Sequence, residues 1–398
     1  MLLVTFHGGS PSTSSASPSP PPPINNVVVY ATHESRAGQL LSSAALEPPK
    51  SDPAALSELR GMKWDGKQLY VVNGSKKLSN VLVYQHAGGP SFVKPQVMIA
   101  ASFTKSGHFT TSIAHPFGLA FRDADTCFVS NQDTNVVALV DLSGKPAKDG
   151  SLGKVHHGSQ SKYLNGKYDQ KKFLAGTFVA SEVGNLHGIK FKESKGDKDD
   201  SLIQDVSKAD GGLGVKPAPT TSDPNPKPAH SVRDVLIVGD VLYVCNEAKG
   251  TLNFYAVADG TYLGRTASKS IASPTHFAVQ NGGIWISAGK NLFWMQSLSA
   301  AKPVVSAPTV SAISLGSSNP NGWKLGGLSF KTSGGKTTAY IPLQSGTGGN
   351  NSGGSIITAP VTPGKSGNPP TLGTSSVFVA NLTDTPEFVL YVQDKKGS

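Results

Sequence analysis

The sequence predicts an all-β protein that folds as a β-propeller of seven blades, with six blades as the alternative. Three observations predict it. Short β-type runs are separated by turn residues, and 44 glycines and 28 prolines lie among the 398 residues. One strand pattern recurs along the chain. The two ends of the chain carry fragments that complete one further copy, as the closure of a propeller requires.

The recurring pattern begins with a strand of the form apolar-x-Gly-apolar-x-aromatic. A turn follows, then a second strand that ends in Asn, a polar turn and a third strand. The first copy occupies residues 59–64, 69–73 and 80–84. First strands begin near residues 59, 116, 186, 232, 274, 325 and 386, which gives seven blades. The copy at residue 186 keeps only its first strand clearly, and this is why six is the alternative.

The closing blade is predicted to combine both ends of the chain. Residues 386–391 resemble a first strand with nothing after it, whereas residues 27–31 and 38–41 resemble second and third strands with nothing before them. Residues 26–393 are therefore predicted to form one propeller domain. Three insertions are expected to be exposed loops, at residues 145–172, 193–230 and 345–354. Residues 1–25 are predicted to be a disordered tail, since most of them are Ser, Pro, Gly, Thr and Ala.

Composition limits the class of protein. The formal net charge is +10, and the hydrophobic fraction of 37% is large enough for a sizeable core. Cys127 and Cys245 lie in short apolar runs and are predicted to be buried free thiols, because this count excludes a disulfide framework. No apolar run is long enough for a membrane-spanning helix.

The sequence also predicts the cellular location and the binding partners. The apolar run at residues 1–6 is too short for a signal peptide, so we expect a cytoplasmic protein, with secretion as the alternative if a signal peptide has been removed. The insertion at 145–172 has seven lysines and no arginine, and nucleic-acid binding is not favoured. We expect a monomer that takes a small-molecule substrate and does not associate with a membrane.

Two of the copies resemble a known group of propellers. The stretch Pro116-Phe117-Gly118-Leu119-Ala120-Phe121 and the strand at 69–73 resemble NHL-type repeats. They are also similar to the six-bladed senescence-marker, gluconolactonase and strictosidine-synthase superfamily. The resemblance covers roughly residues 26–392 and implies the propeller scaffold. It says little about the reaction, because one scaffold carries many functions.

The sequence departs from the metal-dependent lactonases of that superfamily. The resemblance implies a Glu-Gly-Pro-x-Trp motif in which the Glu binds a divalent cation, but the matching stretch here is Arg60-Gly61-Met62-Lys63-Trp64. A Pro-Asn-Gly element of the family reads Pro116-Phe117-Gly118, which removes another oxygen donor. We therefore predict no metal and no cofactor.

The candidate site is the mouth of the central channel, which the first strands line. The residue before the Gly position of each first strand gives Arg60, Phe117, His187, Arg233, Thr275, Gly326 and Glu387, and neighbouring positions add His115, His230 and His276. The turns after the second strands add Asn73, Asn131, Asn246 and Glu247. Arginines at such a mouth favour a carboxylate, phenolate or enolate ligand. Histidines can act as acid or base near neutral pH.

These residues support a hypothesis of metal-independent catalysis on a small anionic or carbonyl-bearing molecule. His187, with His115 or His276, would move a proton, and Glu387 would orient a histidine. The predicted substrate-binding residues are Arg60, Arg233, Asn73, Asn131, Asn246, Phe117 and His230. The reaction class would be isomerase, lyase or cyclase, including cycloaddition in small-molecule biosynthesis.

Purely structural roles for the same residues stay open. The three asparagines recur at equivalent turns and can serve the turn itself. Arg60 and Arg233 can pair with Glu58 and Asp234, and His276 can be a packed core residue.

Two other functions also stay open. One is a metal-dependent lactonase or esterase, with Glu247, Asn246, Asn131 and Glu387 as ligands. The other is a non-catalytic propeller that binds a protein or glycan through its rim.

Overall fold

The computed structural model describes most of the chain outside the long insertions. The described residues are 1–8, 22–49, 56–74, 80–100, 115–124, 126–132, 136–141, 154–155, 232–258, 262–267, 271–301, 308–345, 353–365 and 367–393. Their regular elements are strands, apart from two 3-10 helices at Glu34–Arg36 and Gly316–Ser318. None of the described helices is long and apolar enough to cross a membrane.

The strands are numbered in chain order. They are β1 (Leu2–Phe6), β2 (Val28–Tyr30), β3 (Leu40–Ser42), β4 (Leu59–Trp64), β5 (Gln68–Asn73), β6 (Asn80–Gly88), β7 (Ser91–Ala100), β8 (Pro116–Phe121), β9 (Thr126–Asn131), β10 (Val136–Asp141), β11 (Lys154–Val155), β12 (Val232–Val238), β13 (Val241–Asn246), β14 (Thr251–Ala256), β15 (Tyr262–Arg265), β16 (Pro274–Gln280), β17 (Gly283–Ala288), β18 (Asn291–Gln296), β19 (Ser311–Ile313), β20 (Lys324–Leu325), β21 (Ser329–Ser333), β22 (Lys336–Gln344), β23 (Gly354–Thr362), β24 (Thr371–Leu372), β25 (Ser376–Leu382) and β26 (Pro386–Tyr391).

These strands form an all-β propeller, as predicted. Five sheets have the four-stranded order of a blade, namely β4 to β7, β8 to β11, β12 to β15, β16 to β19 and β26-β1-β2-β3. The inner strand of each sheet lies against that of its neighbour, so that β26 contacts β4, β4 contacts β8, β8 contacts β12 and β12 contacts β16. A six-stranded sheet, β20 to β25, fills the remaining side and contacts β26 through β22.

The middle strands form the core because they are buried on both faces. Every residue of β13, β14 and β17 is buried, as expected for sheets that are covered by a neighbouring sheet on each side. The ring of Tyr243 meets Phe254 of its own sheet edge-on at 5.4 Å between centroids, and it meets Phe277 of the neighbouring sheet at 6.4 Å. Each large side chain buried in this way stabilises the fold by about 1.5–3 kcal/mol.

The number of blades differs from the prediction. The described residues show five regular four-stranded blades, fewer than the seven preferred or the six held as the alternative. The remaining sheet departs from the blade pattern, because its first strand is split into β20 and β21, which both pair with β22. The inner strands β8 and β12 are in direct contact. The copy near residue 186 lies outside the described residues.

The closing sheet contains strands from both ends of the chain, but in a different order from the prediction. β1 pairs with β26 and takes the second place, so residues 27–31 and 38–41 contribute the third and fourth strands. Every residue of β1 is buried. The prediction of a disordered tail over residues 1–25 is therefore wrong at its start, because the flanking Ser and Pro obscured a five-residue apolar strand.

The predicted loop insertions lie mainly outside the described residues. Within 145–172 only residues 154–155 are described, and they form β11, which pairs with β10. No residue of 193–230 is described, and 345–354 is described only at its ends, at residues 345 and 353–354.

Candidate functional site

The inner strands share a local irregularity near their first residues. The register with the second strand shifts between Leu59 and Met62, between Pro116 and Leu119, between Val232 and Val235, and between Pro274 and His276, and the β1–β26 pairing shifts opposite Glu387. A bulge of this kind bends the strand and redirects side chains. The bulged positions are Arg60, Phe117, Arg233, Thr275 and Glu387, the positions that the repeat comparison selected.

Three inner strands are preceded by a residue with positive φ that is not glycine. Glu58, His115 and Ser273 have φ values of 52°, 51° and 54° and come directly before β4, β8 and β16. Such a conformation is uncommon outside glycine and costs about 1–3 kcal/mol at each position. Its recurrence at one structural position indicates a sharp turn into the bulge, which directs the following side chain towards the axis.

The bulged residues surround a cavity of about 230 Å³ at this end of the ring. Its lining is His7, Arg60, Phe117, Gln132, Arg233, Glu247, Ser273, Thr275, His276, Gly289, Lys324, Leu325, Gln344, Thr385 and Glu387. Three cationic side chains therefore face two carboxylates, and the histidines add proton-transfer groups. The balance of charge favours an anionic ligand.

A buried ion pair forms one wall of the cavity. Arg60 is 3% exposed, and its Nη1 lies 3.3 Å from Oε2 of Glu387 and 2.8 Å from Nδ1 of His7. Burial alone would raise the pKa of Glu387, but the Arg60 guanidinium, with the neighbouring His7 and His276, outweighs burial and holds the pKa well below its usual range. Glu387 is therefore a fixed carboxylate rather than a proton carrier.

His115 supports Arg60 from behind the cavity. Its Nε2 lies 3.3 Å from Oε2 of Glu58 and 3.4 Å from Nη2 of Arg60, and Glu58 itself lies 3.4 Å from the same Nη2. The expected pairing of Arg60 with Glu58 is thus present. His115 is buried and is not among the residues that line the described cavity, so its predicted catalytic role is corrected to one of positioning Arg60.

Arg233 keeps one nitrogen unused on the opposite wall. Its Nη2 lies 2.5 Å from Oε2 of Glu247, whereas its Nη1 is buried without a hydrogen-bond partner among the described residues. The guanidinium lies 5.5 Å from the centroid of the Phe117 ring. The expected pairing with Asp234 is wrong, because Asp234 bonds to backbone amides and Glu247 takes its place.

His276 is held as a neutral imidazole with a defined tautomer. The Thr275 hydroxyl donates to the Ser287 carbonyl at 3.2 Å, so Oγ1 of Thr275 accepts from Nδ1–H of His276 at 3.0 Å. The pKa of His276 is lowered to about 4, chiefly by burial; Glu387 opposes this effect, and Arg60 and Arg233 add to it. The unprotonated Nε2 has no hydrogen-bond partner among the described residues and lies 3.7 Å from Oε1 of Glu387.

The side chains of the three predicted asparagines form hydrogen bonds to the backbone. Asn73 accepts from the amide of Ser57, Asn131 donates to the carbonyl of Val129, and Asn246 accepts from the amide of Lys249. All three are buried and none is among the described lining residues. One atom of each amide is thus engaged by the backbone, and the role of the three residues in substrate binding stays a prediction.

The ligand set considered for a metal does not fit a cation. Glu247 is engaged by Arg233 and Glu387 by Arg60, while Asn131 and Asn246 are used in turns. Guanidinium groups beside both carboxylates repel a divalent cation from the place where it would bind. Among the described residues there is also no group of three or more His, Cys, Asp and Glu side chains that could hold a metal ion.

The structure adds cavity residues that the repeat comparison missed. His7 follows β1, which was assigned to the tail, and Lys324 lies in the split first strand of the six-stranded sheet. The apolar run at residues 2–6 could have indicated His7 as the residue that follows a strand. His187 and His230 lie outside the described residues, and their predicted roles stay predictions.

Asp234 fastens the site residues to the core. Its carboxylate accepts from the amides of Val235 and Phe277, both at 2.9 Å, and so joins β12 to β16. Burial raises the pKa of Asp234 to about 6, against the lowering effect of Lys63 and of the two amide bonds. A side chain on Gly118 would overlap this carboxylate, so β8 can lie this close to β12 only because residue 118 is glycine.

The substitution Asp234→Ala is expected to lower the free energy of unfolding by about 3 kcal/mol, since each buried amide left unpaired costs about 1–3 kcal/mol. Urea denaturation at pH 7 measures the change. Glu34→Ala, at an exposed position of the first 3-10 helix, is the control and should change stability little. Equal stability of Asp234→Ala and wild type would contradict this role.

Comparisons with known proteins bear on the fold. No family model and no curated protein matches this chain. Among solved structures it is similar to a chain of a nidogen/laminin complex, with 10% identity over 98% of this chain and 97% of that chain and a TM-score of 0.47. It is similar to the periplasmic gluconolactonase PpgL of Pseudomonas aeruginosa, with 12% identity over 98% of both chains and a TM-score of 0.44. It is also similar to the glutaminyl cyclase of Myxococcus xanthus, with 8% identity over 71% of this chain and 84% of that chain and a TM-score of 0.33.

The solved structures are similar to this chain in fold, and they do not assign it to a superfamily. At these identities and TM-scores nothing about a ligand or a reaction is carried over. The chemistry of the cavity is therefore argued from its own residues.

Proposed function

We propose that this protein is a metal-independent enzyme that moves a proton on a small anionic or carbonyl-bearing organic molecule bound in the cavity. The reaction class is isomerase, lyase or cyclase. The observation that carries the proposal is the neutral, buried side chain of His276. Its Nε2 has no hydrogen-bond partner among the described residues and lies beside the fixed carboxylate of Glu387. A buried polar atom without a partner is uncommon and calls for an explanation such as a catalytic role.

The arrangement supports abstraction of a proton from a carbon next to a carbonyl. His276 Nε2 would accept the proton, and the electron pair of the broken C–H bond would move onto the carbonyl oxygen as an enolate. Nη1 of Arg233 is the available charge-assisted donor for that oxygen. The imidazolium formed on His276 would be stabilised by the negative charge of Glu387, which already raises the pKa of His276. Return of the proton to a different atom completes an isomerisation.

The remaining wall would select the substrate. Lys324 and Arg233 would hold a carboxylate, and the Phe117 ring would supply an apolar surface next to them. The amides of Gln132 and Gln344 are available at the same wall for neutral oxygen atoms. A volume of about 230 Å³ suits a molecule of a few to about ten non-hydrogen atoms, well below drug size.

Arg233→Ala is expected to weaken binding of a small carboxylate by about tenfold or more, because a charge-assisted hydrogen bond contributes about 1.5–3 kcal/mol. Pyruvate, 2-oxobutyrate and levulinate serve as probes, with binding followed by calorimetry. Exchange of their α-hydrogens for deuterium, followed by NMR, reports proton abstraction without knowledge of the natural substrate. Arg36→Ala, at an exposed guanidinium that donates to the Gln39 side chain, is the control.

Two outcomes would contradict the proposal. The first is an absence of binding by all three probes, which would remove the proposed substrate class. The second is binding that is unchanged in Arg233→Ala, which would place the ligand elsewhere on the protein.

A further inference from the structure

A second cavity lies at the other end of β16 from the first. The first cavity is bordered by the Thr275 end of this strand, whereas the second is bordered by its last residue, Gln280. The second cavity has a volume of about 290 Å³ and lies between the β16–β19 sheet and the six-stranded sheet. Its lining is Gln280, Asn281, Gly282, Trp285, Trp294, Gln296, Val361, Pro363, Gly364, Gly367, Asn368 and Pro370.

This lining contains no ionisable side chain, although the chain has a formal net charge of +10. A charged ligand would lose its hydration here without gaining a partner of opposite charge. The first cavity, with its arginines, lysine and carboxylates, has the opposite character. The second cavity is therefore suited to a neutral ligand.

Two tryptophans form the apolar part of the cavity. Trp285 on β17 is paired in register with Trp294 on β18. A side chain on Gly283 would overlap the Trp294 indole, so the glycine allows this ring to lie across the strand, where it stays partly exposed. Trp285 is fully buried, and its Nε1–H has no partner among the described residues.

Side-chain amides form the polar part. The Gln280 amide donates to the hydroxyls of Thr332 and Thr337, both at 3.2 Å, which fixes its orientation and leaves its oxygen as an acceptor. Gln296 and Asn368 are exposed at the rim, and no side-chain hydrogen bond holds either of them within the described part of the chain. Each amide offers an acceptor and two donors, the pattern that neighbouring hydroxyl groups require.

We propose that the second cavity binds a neutral carbohydrate, as one or two hexose units of an oligosaccharide. The apolar face of the sugar ring would lie on the exposed part of the Trp294 indole. The hydroxyls would bond to the amides of Gln280, Gln296 and Asn368. This proposal is independent of the reaction proposed for the first cavity.

A proline-rich peptide is the main competing ligand, and the observations favour it less. Polyproline segments bind in grooves between several exposed aromatic rings. Here only one of the two indoles is exposed, because Trp285 is completely buried. Several amides around a single aromatic surface match a polyhydroxylated ring better than a helix that offers only backbone carbonyls.

Calorimetric titration with four neutral oligosaccharides tests the proposal, namely maltopentaose, cellopentaose, mannopentaose and the tetramer of N-acetylglucosamine. At least one is expected to bind with 1:1 stoichiometry. Gln296→Ala and Asn368→Ala should each raise its Kd by about fivefold, the effect of one net hydrogen bond. Trp294→Ala should raise the Kd by about tenfold or more, and Trp294→Phe, which keeps an aromatic surface, should raise it less.

The controls separate this site from the first cavity and from unfolding. Gln96→Ala, an exposed glutamine on β7, and Arg233→Ala should leave sugar binding unchanged. Gln296→Ala and Asn368→Ala change exposed side chains and should unfold at the wild-type temperature. The proposal is overturned if none of the four sugars binds at about 10 mM, or if binding is the same in all the cavity variants. Binding of a deca-proline peptide that Trp294→Ala abolishes, without any sugar binding, would also overturn it.

Discussion

The substitution His276→Asn is expected to lower the rate of α-hydrogen exchange in a bound keto acid by about 10²–10⁴-fold, the usual contribution of a positioned general base. Asparagine can keep the contact with the Thr275 hydroxyl but has no atom at the place of Nε2. Binding of the keto acid should change little, because Arg233 and Lys324 hold its carboxylate. The rate constant at saturating probe and the Kd, measured separately, check both parts of this expectation.

The pH dependence of the same exchange follows from the low pKa of His276. A base must be unprotonated to act, so the rate in the free enzyme should rise as pH increases through about 4 and stay level towards neutral pH. His86→Asn, at a histidine that bonds to the Gly89 carbonyl far from the cavity, is the matched control. A folded His276→Asn protein with undiminished exchange would contradict the assignment of His276 as the base.

Removal of the Glu387 carboxylate should lower the stability of the protein about as much as Asp234→Ala does. Glu387→Ala leaves the buried Arg60 with only the more distant Glu58 as a counter-charge, and breaking a buried pair costs about 3–5 kcal/mol. Because Glu58 remains, we expect a loss near the lower end, about 3 kcal/mol. Glu387→Gln keeps the volume and an acceptor but removes the charge, and it should lose less. Urea denaturation of the three proteins gives the values.

The loss of stability in Glu387→Ala should become smaller in acid. The pKa of Glu387 is lowered by folding, so its stabilising contribution is complete above the pKa of the unfolded chain, near 4.5, and is lost as pH falls below it towards the folded value. The difference between wild type and Glu387→Ala should therefore be constant from about pH 6 to 8 and shrink in acid. A difference that grows in acid would contradict the assigned ion pair.

The repeat comparison found the site because the fold repeats its own irregularity. Arg60, Phe117, Arg233 and Glu387 occupy one position of successive inner strands, and the bulge there turns each of them towards the axis. A sequence pattern of alternating residues cannot show a bulge. The bulged residue nevertheless comes directly before the Gly position of the repeat in each copy. Alignment of the copies therefore identified it without knowledge of the geometry.

The same comparison could not separate ligand contacts from internal contacts. Asn73 and its equivalents stand at recurring turns. A polar residue at such a turn gives the same sequence pattern whether its side chain bonds to the backbone or to a substrate. His115 was selected for its position beside the strand, but its φ of 51° directs it to Glu58 and Arg60. Such choices depend on the path of the backbone, which spacing alone does not supply.

The missed residues have a different cause. His7 follows a five-residue apolar strand that is next to a long Ser- and Pro-rich stretch, and average composition hides a strand of that length. The blade count was too high because it treated every first-strand match as a blade. The copy near residue 186 lies outside the described residues, and the match at 325 belongs to the split first strand of the six-stranded sheet.

NMR of the histidine ring nitrogens in uniformly ¹⁵N-labelled protein tests the proposed base most directly, with the signals of residue 276 assigned by their disappearance in His276→Asn. At pH 7 we expect a neutral ring with its proton on Nδ1 and an unprotonated Nε2, which becomes charged only near pH 4. An imidazolium at pH 7, or a neutral ring with the proton on Nε2, would show that Nε2 has no lone pair to offer a substrate.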